Sequence, residues 1–166
     1  HNDARRQRQM CIRDSSRGYD NERKNFKSFN NFYLSPIICY ESVYGEYVTE
    51  YTRSGSKLFA IITNDGWWDV SEGHKQHLSY AKLRAIENRR NIVRSANTGV
   101  SAIINYRGEI EDSIEYGEEG FINTNVGLIE EKTFYVNYGD YIFRISLFFF
   151  IIIGLHFLAT IVKTNN

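Results

Sequence analysis

A single proline and only two cysteines stand among 166 residues. So few cysteines exclude a disulfide-built scaffold, and Cys11 lies in a polar, arginine-rich stretch with no fixed geometry relative to Cys39. Cys39 therefore reads as a free thiol. Net charge is absent too: Lys plus Arg and Asp plus Glu each number 20, so no global field draws the chain to nucleic acid, and a phosphate-backbone binder is excluded. No apolar run occurs near the start, so no secretory signal is read there.

The first thirty residues hold eight Lys/Arg against four Asp/Glu and almost no apolar periodicity. Little there compensates the entropy of ordering a backbone. Residues 1–30 are expected to form a disordered or artefactual lead, with Cys11 inside it.

What is present begins after that lead. The 12 tyrosines and 11 phenylalanines supply large apolar area, and β-branched runs suit a sheet, so an α/β class is expected. "SPIICY" reads as a buried strand, "ESVYGEYVTEYTRSGS" as a helix ended by Ser54-Gly55-Ser56, and Leu58 to Thr63 as a second strand. His74 to Arg90 reads as an amphipathic helix with Leu78, Ala81, Ala85 and Ile86 inward and Lys82, Glu87, Arg89 and Arg90 elsewhere. "NIVRSANTG" and "VSAIINYRGEI" read as two more strands, the second turning at Asn-Tyr-Arg-Gly, so parallel and antiparallel neighbours are both expected.

Ile145 to Val162 is a run free of charge. As a helix it is about 27 Å long, close to the roughly 30 Å hydrocarbon core of a bilayer. Arg144 and Lys163 bracket it where their charges can snorkel.

A cysteine at a strand's end, entering a helix, has backbone N–H groups and the helix's positive end nearby, which activate a thiol and receive an oxyanion. Position alone leaves open that Cys39 is an ordinary buried filler. Its surroundings carry further: "ICYES", then "NDGWW", then "QHLSYAKLRAIENRRNIVRSANTGVSAIINYRGEI". In combination these resemble the carbon-nitrogen hydrolase (nitrilase) superfamily and, within it, the apolipoprotein N-acyltransferase family, from about Ser35 through Gly139.

That resemblance implies part of a nitrilase-like α-β-β-α sandwich over residues 31–140, followed by a transmembrane helix over 143–163. It makes Cys39 the nucleophile and Tyr40 the donor of an oxyanion N–H. Glu41 becomes a residue orienting charge around the site, or simply an acid favoured at a helix start. Asn64, Asp65, Trp67 and Trp68 would line the substrate loop, the tryptophans either touching lipid or packing the loop. His74 and His77 have no third ligand in view, so no metal is expected, and no diffusible cofactor either. Arg84 and Glu87 form a helical pair near the site.

The implied reaction moves an acyl chain from a phospholipid donor, through a cysteine thioester, to the N-terminal amine of a diacylglyceryl-apolipoprotein at the periplasmic face of a bacterial inner membrane. Rival readings are an amidase or nitrilase that resolves its acyl-cysteine with water, and a non-catalytic membrane-anchored module. The family's general-base Glu and its Lys lie upstream of the cysteine, and Glu22, Lys24 and Lys27 match neither. The 166-residue chain is accordingly expected to be a truncated piece, inactive alone. Purified and incubated with phospholipid, it should acquire no acyl mass on Cys39, and appreciable acylation would overturn that expectation.

Overall fold

The computed structural model describes residues 23–68 and 71–164. Its sheet has six strands in sequence order: β1 (Phe26–Lys27), β2 (Tyr33–Ile38), β3 (Ser56–Thr63), β4 (Asn91–Ala96), β5 (Ser101–Ile104) and β6 (Ile110–Ile114). β2, β3 and β4 run parallel, and β1, β5 and β6 join antiparallel. Each parallel crossover carries a helix, as it must. These are α1 (Gly45–Arg53) and α2 (Gly73–Asn88). The expected mixture of strand directions is therefore present.

Alternation along the strands decides which face is covered. Ile37, Phe59, Ile61, Ile92, Ala102 and Ile104 are fully buried under α1 and α2, with Val48, Tyr51, Ala81 and Ala85 opposite them. Each such large apolar side chain contributes about 1.5–3 kcal/mol through burial. The other face bears Leu34, Pro36, Leu58, Ala60 and Val93 half-exposed, and Ile38 and Ile62 exposed. A second sheet occupies that position in an α-β-β-α sandwich, so an α-β half of the sandwich is what these residues build.

Helix α1 ends where Ser54-Gly55-Ser56 placed it, with Gly55 at φ 97°. Val43, read as helical, belongs instead to a short 3-10 turn, Cys39–Val43. Helix α2 differs more. Its buried face is His74, His77, Ala81, Arg84, Ala85 and Asn88, while Ile86 is 49% exposed and shields the β5–β6 turn at Gly108. Apolar periodicity misjudges such a face because its polar members are inward to bond other elements, as Asn88 does with Thr52.

Arg90, assigned to the wet side from sequence, is 1% exposed. Its guanidinium donates to the carbonyls of Ser56, Asn88, Arg89, Glu130 and Glu131. Burial pulls its pKa down, the nearby Glu130 opposing that. It thereby pins the segment before residue 133 to the amino ends of β3 and β4. The expected lead also differs at its end. Asn25 bonds Ser35 and the Tyr51 carbonyl, Arg23 lies 4.0 Å over the Tyr47 ring, and β1 pairs with β2. Side-chain contacts order these residues despite their low apolar content, whereas Cys11 and the rest of 1–22 lie outside the described residues.

After that segment come α3 (Phe134–Tyr138) and α4 (Tyr141–Thr164). Helix α4 is long and apolar enough to cross a membrane, and none of the described residues buries its apolar stretch.

Replacing Arg90 with Ala should leave several buried carbonyls without donors and cost about 2–4 kcal/mol in urea unfolding. Arg90→Lys should recover little of it, because an ammonium cannot reproduce the planar fork.

Candidate active site

Three adjacent parallel strands end side by side, with Cys39 after β2, Asn64 and Asp65 after β3, and Asn97 to Gly99 after β4. The carboxyl edge of such a sheet is where α/β folds place ligands. The chain reverses sharply at Cys39. Ile38 is extended at φ −95°, and Cys39 itself sits at φ 50°, a left-handed backbone that costs a non-glycine residue roughly 1–2 kcal/mol. Cys39 is partly exposed, as a free thiol.

Glu41 holds this turn closed. Its Oε2 accepts from the Ile38 N–H at 2.8 Å, and its Oε1 accepts from the Tyr47 hydroxyl at 2.9 Å. Ser42, fully buried, donates to the Cys39 carbonyl at 2.9 Å and lies 2.9 Å from His77 Nε2. Tyr40, 52% exposed, lies in the first turn of the 3-10 segment, where amides lack intrahelical acceptors. The residues flanking the cysteine thus grip its backbone.

Beneath the sulfur lies a buried charge network. Asp65 has no exposed surface. Its Oδ1 accepts from His77 Nδ1 at 2.8 Å and from the Thr63 hydroxyl at 2.9 Å, and its Oδ2 accepts from Arg94 Nη2. Arg94 also donates to the Val100 carbonyl. Burial alone would raise the Asp65 pKa, but the His77 hydrogen bond and the Arg94 charge outweigh it and bring it to about 2. Thr63 Oγ1 is also 3.4 Å from Cys39 Sγ. Its single proton can serve the carboxylate or a thiolate, so this hydroxyl joins the sulfur to the network.

Of the residues expected to line the substrate loop, Asn64 caps a short turn, accepting from Gly66 N at 3.2 Å. Trp67 is 37% exposed. Trp68 packs edge-on to His77 at 5.3 Å and over Gly73, where a Cβ would meet its ring at 2.3 Å. Asp65 faces inward. Both of its oxygens bond protein groups, which gives it a positioning geometry. His74 stacks on Tyr116 at 4.5 Å, away from His77's partners. Arg84 and Glu87, a surface-style pair by spacing, are largely buried beside α3, and burial raises the Glu87 carboxyl while Arg84 opposes it.

Sequence reasoning assigned no site role to Ser42, Thr63 or Arg94. One signal was available: an arginine at a strand position that alternates inward with Ile92 requires buried acceptors, and a carboxylate is the strongest of them.

The carbon-nitrogen hydrolase profile matches residues 19–130. This chain belongs to that family. Among curated relatives named apolipoprotein N-acyltransferase, that of Geobacter metallireducens is 41% identical over 63% of the chain and 20% of its own length. That of Thermotoga maritima is 32% identical over 75% and 25%, respectively. The chain thus spans about a fifth to a quarter of such relatives. The crystal structure of a Helicobacter pylori carbon-nitrogen hydrolase aligns with TM-score 0.53 at 14% identity, over 60% of this chain and 42% of that one. An amidase from Nesterenkonia aligns with TM-score 0.50 at 16% identity, over 75% and 46%. The nitrilase-type fold expected from the sequence is borne out.

A carboxylate whose folded pKa is depressed stabilises the fold above its unfolded value and loses that contribution as pH falls. For Asp65 the window runs from about 3.8 to about 2, and the contribution is on the order of 1–3 kcal/mol. Stability measured through that window should fall less steeply in Asp65→Asn than in the parent. The variant should also be less stable at neutral pH, having left Arg94 buried without a counter-charge.

Proposed function

We propose that this chain is the catalytic-cysteine segment of a membrane-bound N-acyltransferase acting on bacterial lipoproteins, with Cys39 as nucleophile. The single observation that carries the proposal is a partly exposed thiol on a left-handed turn at the sheet's carboxyl edge, within a chain that ends in a bilayer-length apolar helix.

A general base removes the Cys39 proton, a task the family resemblance gives to a Glu upstream of residue 39. The thiolate attacks the carbonyl carbon of an sn-1 ester in a phospholipid, forming the C–S bond. The resulting oxyanion lies against the Tyr40 N–H. Collapse breaks the C–O bond, and the lysophospholipid alkoxide leaves with the proton. The α-amine of a diacylglyceryl-cysteine then attacks the thioester carbon and loses a proton to the base, and the Cys39 thiolate departs. Thioester chemistry suits the second step, because an amine displaces a thiolate more readily than an alkoxide.

Asn64, Trp67 and Trp68 border the acyl group in this proposal, and Asp65 positions Thr63 and His77 around the turn. Helix α4 would hold the domain at the periplasmic face of the inner membrane.

In the whole protein carrying this segment, Cys39→Ala and Cys39→Ser should each lower lipoprotein N-acylation on the order of 10³-fold or more. The parent should trap a hydroxylamine-labile acyl group on Cys39 when the acceptor is withheld. Unchanged N-acylation by Cys39→Ala would refute the assignment. Acyl release to water in place of the amine would favour a hydrolase.

A further inference from the structure

Helix α3 has two unlike faces. Val136 is fully buried, its carbonyl accepts from Arg53 Nε at 2.6 Å, and Thr133 caps the helix while bonding the Glu87 carbonyl. One turn apart on the opposite side, Phe134 and Tyr138 are each 58% exposed with rings 4.3 Å apart. Tyr141, the first residue of α4, packs edge-on to Phe134 at 4.9 Å. The result is an exposed aromatic triad at the foot of an apolar helix.

The junction is clamped to the catalytic domain. Glu46, in the first turn of α1, accepts at Oε1 from the Asp140 N–H and from Arg144 Nη2, both at 2.8 Å. Its pKa is lowered, chiefly by the Asp140 bond; burial opposes this, and the Arg144 and Arg53 charges add to the lowering. Gly139 makes the approach possible. At φ 67° it suits glycine, and a Cβ there would lie 2.3 Å from Glu46 Oε1.

We propose that the α3–α4 junction is an interfacial bracket. Phe134, Tyr138 and Tyr141 seat in the headgroup layer of the bilayer, and the Glu46 clamp fixes how the domain stands above it. This rests on the reading of α4 as membrane-spanning and specifies the surface that meets lipid. The occupant follows from continuity. The charge-free run starts at Ile145, about 6 Å of helix beyond Tyr141, which sets the triad at the water–hydrocarbon boundary where amphipathic aromatics are favoured. The clamp also sits close to the chemistry. Cys39 and Glu46 are joined by the five-residue 3-10 turn and Tyr44, so the thiol lies within roughly 20 Å of the clamp by chain reach. A bracket of fixed height would then hold the thiol at a constant short distance from lipid esters.

The test uses the full chain in vesicles of phosphatidylethanolamine and phosphatidylglycerol, with Cys11→Ser and Cys39→Ser as background. Spin labels are attached at Tyr138→Cys and, as a control on the β5–β6 turn, at Arg107→Cys. The Tyr138 label should lose collisions with an aqueous nickel chelate and gain collisions with oxygen, reporting a depth of roughly 5–10 Å into the interface. The Arg107 label should remain fully aqueous. A label at Tyr44→Cys should report a single height above headgroup-labelled lipid, and Glu46→Gln should broaden it while the chain stays inserted. If the chain survives an alkaline carbonate wash but Tyr138 is as open to nickel as Arg107, the bracket is refuted and the span stands. Loss of the chain in that wash would refute both.

Discussion

Asp65 carries a negative charge with no surface open to water, and the crest of the sheet is arranged around it. A lone buried carboxylate is among the most costly groups a fold can hold, so the site exists only while both of its oxygens have donors. Those donors come from three directions, Thr63 from the end of β3, His77 from α2 and Arg94 from β4, and His77 in turn lies against Ser42 of the turn after β2. Gly99 belongs to the same constraint, since a Cβ there would stand 2.4 Å from Asp65 Oδ2. Satisfying one charge therefore fixes three strand ends and a helix relative to each other. The cysteine turn inherits that fixity through its carbonyl.

This arrangement separates two tasks that a shorter design would combine. In a cysteine–histidine dyad the imidazole faces the sulfur, whereas here His77 faces the carboxylate on one side and the Ser42 hydroxyl and Cys39 carbonyl on the other. The imidazole thus serves the geometry of the Cys39 backbone. Thr63 alone reaches from the network to the sulfur, through a weak contact of 3.4 Å. A left-handed cysteine is strained by roughly 1–2 kcal/mol, and the bonds from Ser42 to its carbonyl and from the Ile38 N–H to Glu41 offset strain of that size.

Legibility in the sequence followed the physics of each element. Strands with continuous apolar runs, the helix stop at Ser54-Gly55-Ser56 and the α4 run were readable because one local property dominates each. The inner face of α2 was not, since His77, Arg84 and Asn88 are inward only by virtue of partners distant in sequence. Arg90 is the extreme case. Its five carbonyl acceptors come from β3, the helix end and a segment forty residues onward, and no window around residue 90 contains Ser56, Glu130 and Glu131. The cysteine was legible as a candidate by its place after a strand and by the family motif. The Asp65–Arg94 pair that supports it was hidden, although both residues stood within quoted motifs.

Arg90 and Arg94, both buried, mark opposite ends of the same sheet, and their different partners show what each end must do. At the amino ends of β3 and β4, Arg90 meets neutral carbonyls, which spread its charge over many weak dipoles and tolerate small shifts of any one. At the carboxyl ends, Arg94 meets a carboxylate, a strong and directional pairing that fails if either group moves. Rigidity is thus concentrated at the end that carries the Cys39 turn, and the other end is held by a more forgiving contact. The same division extends outward. The only long apolar helix among the described residues joins the domain on the rigid side, through Glu46 one turn beyond the cysteine segment, so whatever orients that helix orients the thiol with it.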